Sequence, residues 1–80
     1  MNNSNLYKVQ SVLINKNKVD LSNATKWVLE KGYKVKKVDE TKNLYRFRQI
    51  APITLEKKGY TTYRNLAISP ETTLVLAYKS

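Results

Sequence analysis

Only one stretch of this chain repeats its apolar residues at the helical period. Leu21, Ala24, Trp27 and Val28 share one helix face, while Ser22, Asn23, Lys26 and Glu30 fall largely on the other. Asp20 stands where an N-cap belongs, because its carboxylate can accept from backbone N–H groups two and three residues on. Gly32 stands at the C′ position, where a left-handed backbone costs glycine nothing, and Tyr33 is placed to pack back on Val28. Most of the other apolar segments alternate with period two or run as short strand-like stretches. One long helix cannot cover both faces of a sheet. The pattern therefore predicts a two-layer α+β fold: one main helix on a four- or five-stranded, mostly antiparallel sheet, with the far face at least partly open.

The strands follow from alternation and punctuation. Leu6 to Ile14 carries apolar residues on both faces, which suits a central strand; Tyr7, Val9, Ser11 and Leu13 are expected to share one of them. Lys34 to Asp39 and Leu44 to Ile50 read as a hairpin joined by a polar turn over Asp39–Asn43. Ala51-Pro52 ends that hairpin, and Pro52 to Lys58 reads as one or two helical turns stopped by Gly59. Tyr60 to Ile68 and Thr72 to Lys79 form the last two strands around a turn at Ser69-Pro70-Glu71. Residues 1–5 are polar and expected to fray, leaving 6–80 as a single domain.

Composition removes whole classes of chemistry. The 80 residues include no cysteine and no histidine, so the usual thiolate, imidazole base and metal ligands are missing. Five serines and seven threonines are present, but no motif pairs one with a base. The one adjacent carboxylate pair, Asp39 and Glu40, is expected in a turn, screening neighbouring lysines. Gly32 and Gly59 are isolated, so no phosphate-cradling glycine loop exists. The expectation is a non-enzymatic protein with no cofactor, no metal and no small-molecule substrate. The longest strictly apolar run, Leu74–Tyr78, is too short for a membrane span or a signal peptide core, so neither membrane association nor secretion through a cleaved signal is expected.

The charge is informative. Fifteen Lys plus Arg against six Asp plus Glu give +9. Lys31, Lys34, Lys36, Lys37, Lys42, Arg46 and Arg48 lie within eighteen residues, opposed only by Asp39 and Glu40. Alternation puts Tyr45 and Phe47 on one face of the third strand and Arg46 and Arg48 on the other. If the aromatics face the helix, both arginines project from the open face; otherwise the aromatics would flank the lysines as a stacking surface. Lys34, Lys36, Lys37, Lys42, Arg46 and Arg48 are thus the candidate nucleic-acid-binding residues. An acidic protein partner, docking on the same cations, is the alternative. A third reading is a passive solvated face that keeps the chain soluble.

Four segments taken together resemble a small, uncharacterised module of tailed phages and large DNA viruses. They are Asn23-Ala24-Thr25-Lys26-Trp27 running to Lys31-Gly32-Tyr33-Lys34, then Lys37-Val38-Asp39-Glu40-Thr41, Tyr45-Arg46-Phe47-Arg48-Gln49, and Leu74-Val75-Leu76. The shared pattern is A-x-x-W, G-Y-K, K-V-D-E-T and Y-R-F-R-Q. The resemblance covers most of the chain after residue 20 and implies a viral origin, in the host cytoplasm or the virion. It also implies a virion-associated or host-directed interaction role. It carries over no catalytic residue. Twelve lysines and eight asparagines, a bias typical of A+T-rich genomes, agree with that origin.

Overall fold

A computed structural model describes residues 7–79. They form β1 (Tyr7–Asn15), α1 (Leu21–Glu30), β2 (Val38–Glu40), β3 (Leu44–Arg48), α2 (Pro52–Lys57), β4 (Tyr60–Ser69) and β5 (Thr72–Lys79). The expected frayed residues 1–5, and Leu6 as the first strand residue, lie outside the described residues. The five strands make one antiparallel sheet in the order β2-β3-β1-β5-β4. This is the α+β architecture that the patterning predicts.

β1 is the central strand, and Gln10 to Ile14 are buried without a break. Its alternation nevertheless departs from expectation. The register to β5 shifts between Val9 and Ser11, leaving Gln10 as a bulged extra residue. Val9 therefore joins Val12 and Ile14 in the core under α1, and Ser11 and Leu13 take the opposite face. Simple alternation would group Val9 with Leu13. The bulge is held by polar bonds. The Gln10 carbonyl accepts from the backbone N–H of Gln49 (2.8 Å) and of Ile50 (3.3 Å). Its side-chain amide donates to the Ile50 carbonyl at 3.2 Å, and the Ser11 hydroxyl donates to Gln10 Oε1 at 2.7 Å. Two buried polar side chains thus satisfy each other at the cost of no orphaned group.

α1 begins and ends as its sequence dictates. Asp20 Oδ1 accepts from the Asn23 N–H at 2.9 Å. At the other end Gly32 has φ +85, and the Gly32 and Tyr33 N–H groups bond back to the Leu29 and Val28 carbonyls. Ala24 and Val28 are fully buried against Val12, Ile14, Tyr45, Phe47, Leu74 and Leu76. Trp27 and Tyr33 are half-buried at the margin of that cluster. Leu21, expected on the buried face, is exposed instead. The fully buried stripe of α1 is only as wide as Ala24 and Val28.

The second expected strand is much shorter than its pattern suggests. Residues 34–37 are irregular, and pairing begins only at Val38. Asp39 and Glu40 consequently belong to β2, and the turn is confined to Thr41–Asn43. There Thr41 N–H donates to the Leu44 carbonyl (2.8 Å) and Leu44 N–H to Thr41 Oγ1 (3.1 Å). α2 starts on Pro52 and is followed by Gly59 at φ +89, as expected. It packs Leu55 on Tyr60, Ala77 and Ile50, on the sheet face opposite α1. That second face is therefore capped at one end and open over the rest.

Two outcomes follow for stability. Phe47 is fully buried beneath α1, so Phe47→Ala is expected to cost about 3–5 kcal/mol, as much as a domain this small has. Far-UV circular dichroism should show a largely unfolded variant. Gly32 has open space where a Cβ would sit, so Gly32→Ala carries only the backbone term, about 1 kcal/mol. Urea titration followed by Trp27 fluorescence should give that loss and leave the exposed helix-face change Asn23→Ala near neutral.

Candidate cationic site

The site is assembled by the chain between Gly32 and β2. After the Gly32 turn, Tyr33 and Val35 pack on the α1 core, which turns Lys34 and Lys36 outward. No strand pairs with this segment at Lys34. The Gln49 side chain does so instead: Oε1 accepts from Lys34 N–H at 2.7 Å and Nε2 donates to the Lys34 carbonyl at 2.9 Å. A primary amide has the same donor and acceptor as a peptide group, so Gln49 substitutes for a neighbouring strand. The same Nε2 also reaches the Phe47 carbonyl at 3.2 Å. Three residues after Lys34, the Lys37 carbonyl accepts from the Arg48 N–H at 3.0 Å. The lysine-rich segment is thereby fastened along the end of β3.

The result is a cleft of about 330 Å³ lined by Lys34, Lys36, Lys37, Arg48, Gln49 and Ala51. Four of the six candidate basic residues line it. One carboxylate stands near: Asp39 Oδ2 lies 3.6 Å from an Arg48 guanidinium nitrogen, with both side chains substantially exposed. An ion pair so exposed contributes at most about 1 kcal/mol and leaves the guanidinium available.

The other two candidates sit elsewhere. Arg46 is exposed on the same sheet face as Arg48, opposite Leu13 on β1 and Asp39 on β2. It extends the cationic surface along the strand without lining the cleft. Lys42 lies in the Thr41–Asn43 turn at the other end of the hairpin, past Leu44, which is itself four strand steps (about 13 Å) from Arg48. It stands apart from the others. Sequence reasoning groups Lys42 with them through proximity along the chain; the antiparallel hairpin carries it away. It misses Gln49, whose only signal in the sequence is an amide placed next to Arg48.

The orientation of β3 is now settled. Tyr45 and Phe47 are buried under α1, so neither forms an exposed base-stacking surface. The Asp39–Glu40 pair is also divided. Asp39 faces Arg46 and Arg48, whereas Glu40 shares the α1 face with Tyr45 and bonds Lys16 Nζ. Lys16 also donates to the Thr41 carbonyl at 3.0 Å. Each acid therefore accompanies a cation, and the two do not form a paired acid–base arrangement. Among the described residues, no group of three or more acidic side chains could hold a metal ion, and no helix is long and apolar enough to cross a membrane.

Comparison with protein-family models, with curated proteins and with solved structures finds no match to this chain.

Gln49 gives the test of this geometry. Gln49→Ala removes both bonds to Lys34 and should release residues 34–37, seen as faster amide hydrogen exchange there. Gln49 is only half-buried, and α1 and β4–β5 should exchange as before. Unchanged exchange at residue 34 would show that the lysine segment is held by something else.

Proposed function

We propose that this protein is a small, basic, non-enzymatic binding module that grips the phosphate backbone of a nucleic acid. Lys34, Lys36, Lys37 and Arg48 bind in the cleft, and Arg46 continues the contact along β3. The observation that carries this reading is that four basic residues line one cleft, with a single exposed carboxylate beside Arg48. Phosphate oxygens are the commonest partner for such a group, with Arg48 supplying a planar donor fork and the lysines point charges. Contacts of this kind position a ligand without reading its bases, so the binding is sequence-independent. Burial of Tyr45 and Phe47 supports this, since the β3 aromatics are not offered to bases. On this reading, and in keeping with the resemblance to modules of phages and large DNA viruses, the protein would work in an infected host's cytoplasm or in a virion.

Salt dependence tests the proposal. Four to five neutralised phosphates on duplex DNA imply a slope of log affinity against log salt of about −4, at roughly −0.9 per phosphate. Lys36→Ala should lower the magnitude of that slope by about one unit and weaken all sequences alike. Arg48→Lys keeps the charge but loses the fork, and should weaken binding with little change in slope. Lys42→Ala should leave both unchanged, because Lys42 is outside the cleft. A slope insensitive to Lys36→Ala would reject the cleft as the site. Equal affinity for polyglutamate of matched charge would give the cleft to an acidic protein partner instead.

A further inference from the structure

β4 is the longest strand described, and it lies at an edge of the sheet. Its inner side pairs with β5 throughout; among the described residues no strand covers its outer side. Every residue from Thr61 to Ile68 is exposed, including Tyr63 (42%), Leu66 (48%) and Ile68 (44%). Edge strands are commonly guarded by lysines, prolines, bulges or extreme shortness. The opposite edge follows that rule, since β2 has three residues, two of them acidic. β4 does not. Its register irregularities fall at its ends, between Tyr60 and Thr62 and between Ala67 and Ser69, and Pro70 follows the strand. Between them Thr62 to Ala67 is an uninterrupted segment with one charge, Arg64.

We infer that β4 is a dimerisation edge, on which a second copy of this chain adds its own β4 antiparallel to form a continuous ten-stranded sheet. Charge selects the occupant. The β4–β5 hairpin carries Arg64, Lys79 and Glu71, so it is nearly neutral within a +9 chain. An acidic partner would be drawn to the cationic cleft at the other edge of the sheet. Two copies meeting through β4 keep those clefts at the far ends of the assembly, where their mutual repulsion is least.

The residues also select the register. Directly opposed residues in an antiparallel pair share a face, so a two-fold axis must pass through one residue position. An axis at Arg64 would set the two guanidinium groups against each other. An axis at Leu66 would leave only three opposed pairs within the regular segment. An axis at Asn65 gives five: Asn65 meets Asn65, Arg64 meets Leu66 twice, and Tyr63 meets Ala67 twice. On the α1 face Leu66 of each copy then lies diagonal to its equivalent, within reach of a long side chain.

Sedimentation of the full chain over a wide concentration range is the first experiment, and a reversible dimer is expected. The chain has no cysteine, so Asn65→Cys introduces a single thiol. Opposed Cα atoms in an antiparallel pair are about 4.5–5.5 Å apart, within the span of about 4.4–6.8 Å that a disulfide bridges. Mild oxidation should link Asn65→Cys into a covalent dimer and should not link Tyr63→Cys. Leu66→Lys faces Arg64 of the second copy, at two places by symmetry, and should raise the dissociation constant at least about tenfold. Adding Arg64→Glu to Leu66→Lys should restore the dimer. Leu66 is exposed, so the fold should persist, as Trp27 fluorescence will show. A monomer at every concentration, a dimer indifferent to Leu66→Lys, or equal cross-linking at both cysteine positions would overturn the inference. So would a monomer whose β4 is instead occupied by an unrelated peptide strand.

Discussion

Phe47 is the residue on which the arrangement turns. It is fully buried between α1 and the sheet, where it meets the stripe formed by Ala24 and Val28. Strand alternation then leaves no freedom: with Phe47 and Tyr45 inward, Arg46 and Arg48 must point to the other face. Placing an aromatic pair in the core also requires β3 to sit inside the sheet, beside β1. β2, with Asp39 and Glu40, takes the edge, where charged side chains can stay in water. One hydrophobic requirement thus sets the side of the sheet on which Arg46 and Arg48 appear.

The cleft depends on a different kind of interaction. Lys34 to Lys37 have alternating character but do not enter the ladder, because the pairing of β2 with β3 begins only at Val38. The Gln49 amide supplies the missing partner at Lys34, and the Arg48 N–H supplies one at Lys37. Gln49 is itself set by the β1 bulge, since its N–H bonds the Gln10 carbonyl. A bulge in the central strand therefore bears on where the lysines stand, through one carbonyl and one side-chain amide. Such a chain of polar bonds is held in place because its buried members have partners.

Charge is distributed unevenly between the two edges of the sheet. The β2–β3 side carries the cleft, with Arg46 beside it and Lys42 at the hairpin tip. On the other side the β4 strand itself carries one charge, Arg64, along an exposed, partly apolar stretch. These surfaces suit different kinds of contact. A desolvated strand edge is satisfied by main-chain hydrogen bonds, while a solvated cationic cleft is satisfied by anionic oxygens.

Much of the fold is legible in the amino-acid order because it is local. The helix from Asp20 to Gly32, the stop at Gly59, and the alternation of β3 and β5 each depend on neighbours within a few residues. The cluster of cations is legible for the same reason, since composition and spacing are properties of the sequence. What tertiary structure alone decided involves partners far apart in the chain. The bulge at Gln10 arises from pairing with β5 and inverts the faces of β1 on one side of it. The partner of the unpaired segment before β2 is the Gln49 side chain, fifteen residues from Lys34. The exposure of β4 along its length arises from its place at the edge of the sheet. An alternating pattern fixes which residues share a face, but not which strand lies beside which, because backbone hydrogen bonds are the same for any neighbour.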